Sequence, residues 1–117
     1  MDSPVVGVAA AHNAILADAY TAAATVSAAA DAALLEALSA QTTAQAKVDA
    51  LRLQLLREHS EAQARELVLA ERVLERTRAN VAECKADAER SNALLARVES
   101  ELDASRGALL RVCHPVV

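Results

Sequence analysis

Counted in sevens from Leu67, the chain reads Leu67, Leu74, Val81, Ala88, Leu95, Leu102 and Leu109, one a-position series through seven repeats. The interleaved d series is smaller and mixed: Ala70, Thr77, Cys84, Ser91, Val98, Ser105 and Val112. Apolar residues that recur at alternating spacings of three and four form one stripe on a helix, and a stripe sustained over several heptads predicts a coiled coil. The small d residues predict a facing surface that brings large side chains of its own. An ordinary amphipathic helix in a bundle is the plainer alternative.

An earlier series puts Leu34, Val48, Leu55 and Ala62 at one position, interrupted by Gln41, and Ala37, Ala44 and Leu51 at the other. It fails at Glu58, and the following stretch REHSEAQARE has no large apolar residue. From Leu55 to Leu67 is 12 steps, which at about 100° per residue leaves the two stripes roughly 120° apart. Leu56 to Leu67 is 11 steps, the spacing at which local unwinding keeps a stripe aligned. A continuous rod is therefore possible through Leu56. A turn is possible too, because Ser60-Glu61-Ala62-Gln63 fits a capping box, as does Thr42-Thr43-Ala44-Gln45. The lack of Gly and Pro speaks against a tight turn. The expectation is one or two long helices, with a bend or break near residues 57–61.

The alanine-rich stretch AYTAAATVSAAADAALLEAL, residues 19–38, also repeats in sevens. His12, Ala19, Val26 and Ala33 form one row, with Ile15, Ala22, Ala29 and Glu36 interleaved. Such a narrow seam allows helices to approach near the lower end of the usual 8–10 Å. It predicts close packing on other helices, and Leu or Lys at Ala22 and Ala29 is expected to disrupt assembly. The uncharged run between Asp18 and Asp31 is 12 residues, against about 20 for a membrane span, and Thr21, Thr25 and Ser27 add polarity. No membrane role is expected.

Composition agrees with helix. Ala supplies 30 residues, Leu 16 and Val 12, and neither Gly nor Pro occurs between residues 8 and 106. Sheet folds need turn chemistry at short intervals, so the fold class expected is all-α: one or two very long helices forming a coiled coil or helical hairpin, extended rather than globular. Phe and Trp are absent and Tyr20 is the one aromatic, which leaves little for a compact core. The expected organisation is a tail over 1–8, an Ala-rich acidic helical segment over 9–57, a heptad helix over 58–112 and a tail over 113–117. Ser3-Pro4 suits an N-cap followed by Pro at N1, Gly107 weakens the last heptads and Pro115 stops them.

Charge narrows the partners. No Lys or Arg precedes Lys47, while Asp2, Asp18, Asp31 and Glu36 do. Nucleic-acid binding rests on neutralising phosphates, so nucleic acids and anionic surfaces are disfavoured. The start MDSPVV lacks the basic stretch of a signal peptide, and an acidic, Arg-free beginning disfavours a mitochondrial presequence. An intracellular protein, cytoplasmic or cytoskeletal, is expected. Intrahelical pairs Glu61–Arg65, Glu75–Arg78 and Asp87–Arg90 support helix. The like-charge pairs Arg72–Arg76, Glu71–Glu75, Glu83–Asp87 and Glu99–Asp103 would be relieved by a complementary partner.

Catalytic chemistry is thin. His12, His59 and His114 are scattered, and no metal, phosphate-loop or nucleophile motif occurs. Cys113-His114 supplies two ligands where a structural zinc needs four. Cys84 would meet its twin in a parallel homodimer, or serve as a small core residue. No enzyme activity, cofactor, metal or small-molecule ligand is expected. The residues expected to meet partners are Ile15, Ala19, Ala22, Val26, Ala29, Ala33, Leu51, Leu55, Leu67, Leu74, Val81, Cys84, Leu95, Val98, Leu102 and Leu109.

The function expected is a non-catalytic coiled-coil subunit that bridges or staples partners in a larger helical assembly, in an axonemal, microtubule-associated or kinetochore-like setting. Its partners would be other helical proteins in a hetero-oligomer, or a second copy in a homodimer. The alternative is a small helical chaperone. In size and paired-helix pattern the chain resembles, in general terms, the tubulin-binding cofactor A and prefoldin classes, although prefoldin subunits carry β-hairpins between their helices and no hairpin signal exists here. A regulatory helix acting on an enzyme, or a peripheral subunit of a mitochondrial complex, has no supporting feature.

Overall fold

A computed structural model describes residues 4–113, with nothing said of the Cys113 side chain. The Asp2–Ser3 start, the Cys113-His114 pair and Pro115 therefore lie outside the described side chains. Two helices account for almost all of it: α1 (Pro4–Arg57) and α2 (Glu61–Cys113). The protein is all-α, a coiled-coil helical hairpin. The helix α1 already includes residues 4–8, which the sequence assigned to a tail.

The reversal falls at residues 58–60, inside the span expected for an interruption. The Glu58 amide still donates to the Gln54 carbonyl at 2.9 Å, and at the new helix the Ala64 amide donates to the Ser60 carbonyl at 2.9 Å. Ser60 caps α2: its Oγ accepts from the Gln63 amide at 3.4 Å, the first half of the capping box. Gln63 Oε1 is buried without a hydrogen-bond partner, so the reciprocal half is not made. Arg57 ends α1 and Glu61 opens α2, each with the sign that its helix dipole favours. No described residue has a positive φ, so the chain reverses without glycine. Three residues of non-helical backbone ending in an N-cap are sufficient. Ser60→Ala is expected to lower stability by about 1 kcal/mol, read as a shifted midpoint in urea unfolding followed by circular dichroism.

Two units are distinguishable, and each is a pair of helix segments. The turn unit is Ala30–Ala88. Its α1 arm turns Ala30, Leu34, Ala37, Gln41, Ala44, Val48, Leu51 and Leu55 inward; its α2 arm answers with Gln63, Leu67, Ala70, Leu74, Thr77, Val81, Cys84 and Ala88. Val48, Leu51, Ala70 and Leu74 form the central cluster, with Ala44 and Leu67 packed on it. The cluster thus mixes large Val48, Leu51, Leu67 and Leu74 with small Ala44 and Ala70 from both arms, which is how knobs fill holes at close-packed density. Arg52 pairs with Glu71 at 3.5 Å, and Arg78 donates to Gln45 Oε1 at 2.9 Å. Both Arg52 and Glu71 are about half exposed, so the ion pair fixes register more than it adds stability.

The terminal unit joins the described parts of 1–29 and 89–117. Here Ala9, Asn13, Leu16, Tyr20, Ala23 and Ser27 face Ser91, Leu95, Val98, Leu102, Ser105 and Leu109. Asn13 Nδ2 donates to Ser105 Oγ at 3.5 Å, and the Ser27 hydroxyl donates to Asn92 Oδ1. Numbers rise on one helix as they fall on the other, so the segments are antiparallel. Gly107 lies in α2, and a Cβ there would meet nothing within 4 Å. Gly107→Ala is therefore expected to raise stability by roughly 0.5–1 kcal/mol, since it removes unfolded-state freedom without a clash; thermal unfolding reads this directly.

The inner stripe of α1 follows a different row from the one read in the alanine-rich stretch. In the alanine-rich stretch, His12, Val26, Ala33, Ile15, Ala22, Ala29 and Glu36 are exposed and Ala19 is half-buried. The inward rows are displaced by one residue: Asn13, Tyr20, Ser27 and Leu34, with Leu16, Ala23, Ala30 and Ala37. They continue the Leu34–Val48–Leu55 and Ala37–Ala44–Leu51 series back to Ala9 without a break. Helix continuity explains this. A straight helix cannot change the phase of its stripe without a stutter, so the large residues after Leu34 set the phase for the alanines before it. The polar Asn13 and Ser27 are tolerated because each finds a partner.

Candidate interaction surfaces

Most of the expected partner residues are used within the chain. Leu51, Leu55, Leu67, Leu74, Val81 and Cys84 lie in the inner stripe of the turn unit, and Leu95, Val98, Leu102 and Leu109 in that of the terminal unit. The large side chains that the small d positions of α2 called for come from α1. Cys84 is half-buried, and its thiol donates to Asn80 Oδ1 at 3.7 Å. The antiparallel helix beside it makes the parallel-dimer role for this thiol unnecessary.

A different set remains outside. In the terminal unit Val8, Ile15 and Val26 are exposed, Ile15 by 66%. Ile15 and Val26 belong to the rows that the sequence assigned to the seam; Val8 extends the Ile15 row by one heptad into the stretch read as a tail. That seam exists, but it faces outward. His12, Ala19, Ala22 and Ala29 complete it, and it carries no formal charge at neutral pH. One residue of displacement is about 100° around the helix, so α1 has two stripes at nearly right angles, one inside and one outside. Sequence periodicity detected both without distinguishing them.

In the turn unit, Leu53, Leu56, Val68, Leu69 and Val73 are exposed, Leu56 by 84%. Leu55 and Leu56 with Arg52 and His59 line one shallow groove beside the turn. Val68 and Leu69 with Ala64, Arg65 and Arg72 line another. Apolar grooves bordered by arginine are a common composition at protein interfaces. Leu53 and Leu56 lie off the heptad rows of α1; periodicity marked Leu56 only as the link of a continuous rod and gave no sign of Leu53, although the apolar excess of LRLQLL hints at more leucine than one stripe can bury.

The outer surface of α1 is less polar than its composition. Thr21 and Thr25 donate their hydroxyls back to the Ala17 and Thr21 carbonyls at 3.1 and 2.9 Å, and Thr42 and Thr43 do the same to Leu38 and Ser39. This bonding satisfies the hydroxyl inside the helix. By length and composition alone α1 could cross a membrane: an 18-residue window has mean hydropathy 1.3, with 17% of it buried. The count between Asp18 and Asp31 did not register this window. The polar pairs Asn13–Ser105 and Ser27–Asn92 tie α1 to α2.

Among the described residues, no group of three or more His, Cys, Asp or Glu side chains is placed to hold a metal ion. The surfaces are exposed apolar faces on an antiparallel coiled-coil hairpin. No protein-family model, curated protein or solved structure matches the chain.

Proposed function

We propose that this chain is a non-catalytic coiled-coil subunit that bridges partners within a larger helical assembly, in an intracellular, cytoskeletal setting. The observation that carries the reading is that each unit fills its inner stripe from within the chain, yet each leaves large apolar side chains exposed: Val8, Ile15 and Val26 in one, Leu53, Leu56 and Leu69 in the other. Exposed apolar surface of that kind is costly to leave in water and marks contact sites. Two separate contact surfaces on one small chain are what a bridging subunit needs. Relief of the like-charge pairs Arg72–Arg76 and Glu99–Asp103 on α2 by a complementary helix supports the same reading. The acidic beginning disfavours direct docking on an acidic polymer, so contact would run through other helical proteins.

The test uses a photo-crosslinking side chain in place of Leu56, in cells, with the captured proteins identified by mass spectrometry. The expected result is a small set of helical subunits in fixed proportion. Capture of a single enzyme, or of nothing, overturns it. The second reading, a small helical chaperone, draws on the apolar grooves beside the turn. It predicts instead a broad set of unfolded clients, released as they fold.

A further inference from the structure

We propose that the outer stripe of α1 in the terminal unit binds a second copy of this chain, the two helix pairs stacking face to face as a four-helix bundle. In it, α1 of each copy lies against α2 of the other. The inference rests on reading that face as a contact surface, and names what covers it.

The geometry comes first. In a square four-helix bundle each helix meets two neighbours at roughly right angles around its axis. The two stripes of α1 stand about 100° apart, so a helix already paired through Asn13, Leu16, Ala23 and Ser27 presents Val8, Ile15, Ala22 and Val26 at the second corner. The α2 segment shares that side of the unit: Ala9, His12 and Leu16 line one groove with Glu101, Ala104, Ser105 and Ala108. The face therefore consists of two helices, not one.

Area favours a two-helix partner. From Val8 to Ala29 the stripe is about 32 Å long at 1.5 Å per residue, so one foreign helix about 10 Å wide would cover roughly 320 Å². A second two-helix face would cover roughly 640 Å², within the range of about 600–1,000 Å² per partner for a stable interface. This chain itself supplies such a face.

Size and charge then choose the arrangement. The Asn13–Ser105 pair fixes the heights of the two segments. A two-fold axis parallel to the helices keeps those heights. It brings Ala104 of the second copy to Ile15, Leu94 to Val26, and the stem of Arg111 to Val8. Large side chains meet small ones at the first pair, and the aliphatic part of arginine covers apolar surface at the last. Asp18, the charge bordering the stripe of α1, comes within reach of Arg97 of the second copy. Arg97 is exposed and already holds Glu101 at 3.3 Å, so the dimer would extend that pair into a three-membered cluster. The other two-fold arrangement, α1 on α1, lays the arginine-bearing rows of α2 over each other.

Sedimentation velocity on the purified full chain tests this. The expected species at tens of micromolar has twice the monomer mass. Ile15→Glu with Val26→Glu should raise the dissociation constant at least about 30-fold, because a buried unpaired carboxylate is strongly unfavourable, while helicity is unchanged since both sites are exposed in the monomer. Leu56→Glu should leave the dimer intact. For the arrangement, one population carries Ile15→Cys and the other Ala104→Cys, both with Cys84→Ser and Cys113→Ser. Oxidation should give a covalent dimer only when the two are mixed. A wild-type monomer at all concentrations, or a dimer that tolerates the double Glu variant, overturns the proposal. A covalent dimer of the Ile15→Cys population alone overturns the arrangement. Neither result touches what the photo-crosslinker at Leu56 captures, so the two proposals fail separately.

Discussion

Val48→Asp is expected to abolish cooperative unfolding at 25 °C, leaving a chain with weak, non-cooperative helix signal. Val48 has no exposed surface and sits in the cluster with Leu51, Ala70 and Leu74. A carboxylate there has no basic partner within that cluster, whose other members, with Ala44 and Leu67 packed on it, are all aliphatic. It must either be buried charged or take up a proton, and the cost is on the order of 4 kcal/mol or more. Typical domains have only about 5–15 kcal/mol in hand, and a two-helix core without Phe or Trp belongs at the low end. Helices within proteins gain most of their stability from tertiary packing, so losing the seam loses helix as well. Leu56→Asp, at a site 84% exposed, is the matched control and should leave the urea midpoint unchanged. Both are measured by circular dichroism at 222 nm against urea.

The second large effect separates two adjacent alanines. Ala23→Leu is expected to destabilise the chain by about 1–3 kcal/mol, because Ala23 is 7% exposed in the terminal unit and the added atoms must displace packed neighbours. Ala22→Leu, one residue away on the outer stripe, should change unfolding of the monomer by less than about 0.5 kcal/mol and act on self-association instead. Equal effects at the two positions would mean that the inner stripe does not run through Ala23. The pair decides the phase of α1 by a thermodynamic measurement alone.

That phase is where sequence and structure part. The stripe of α2 was legible from Leu67 to Leu109 because Leu and Val recur at one position over polar surroundings. The series from Leu34 to Leu55 was legible for the same reason, even across Gln41. The alanine-rich stretch was not, because Ala occupies nearly every row there and periodicity cannot discriminate between equals. The row read there, His12–Ala19–Val26–Ala33, is the outer one; the inner one, Asn13–Tyr20–Ser27–Leu34, was missed because a sequence gives no credit to polar residues that find partners 65 or 92 positions away. The turn was half legible. Ser60 and Gln63 marked it, and the lack of glycine argued against it without cause, because no residue of the reversal needs a positive φ.

By itself the sequence determined that this protein is helical, that it has two long apolar repeats, and that the chain is interrupted near Ser60. Those features are local: propensity, the absence of breakers and a cap motif act over a few residues. Only the tertiary structure decided that the two repeats face each other within one chain, which of the two stripes of α1 turns inward, and that Leu53, Leu56, Ile15 and Val26 are left outside. These depend on which large side chain meets which small one across the pair, and on polar groups satisfied by distant partners. Both are properties of the assembled helices and of neither helix alone.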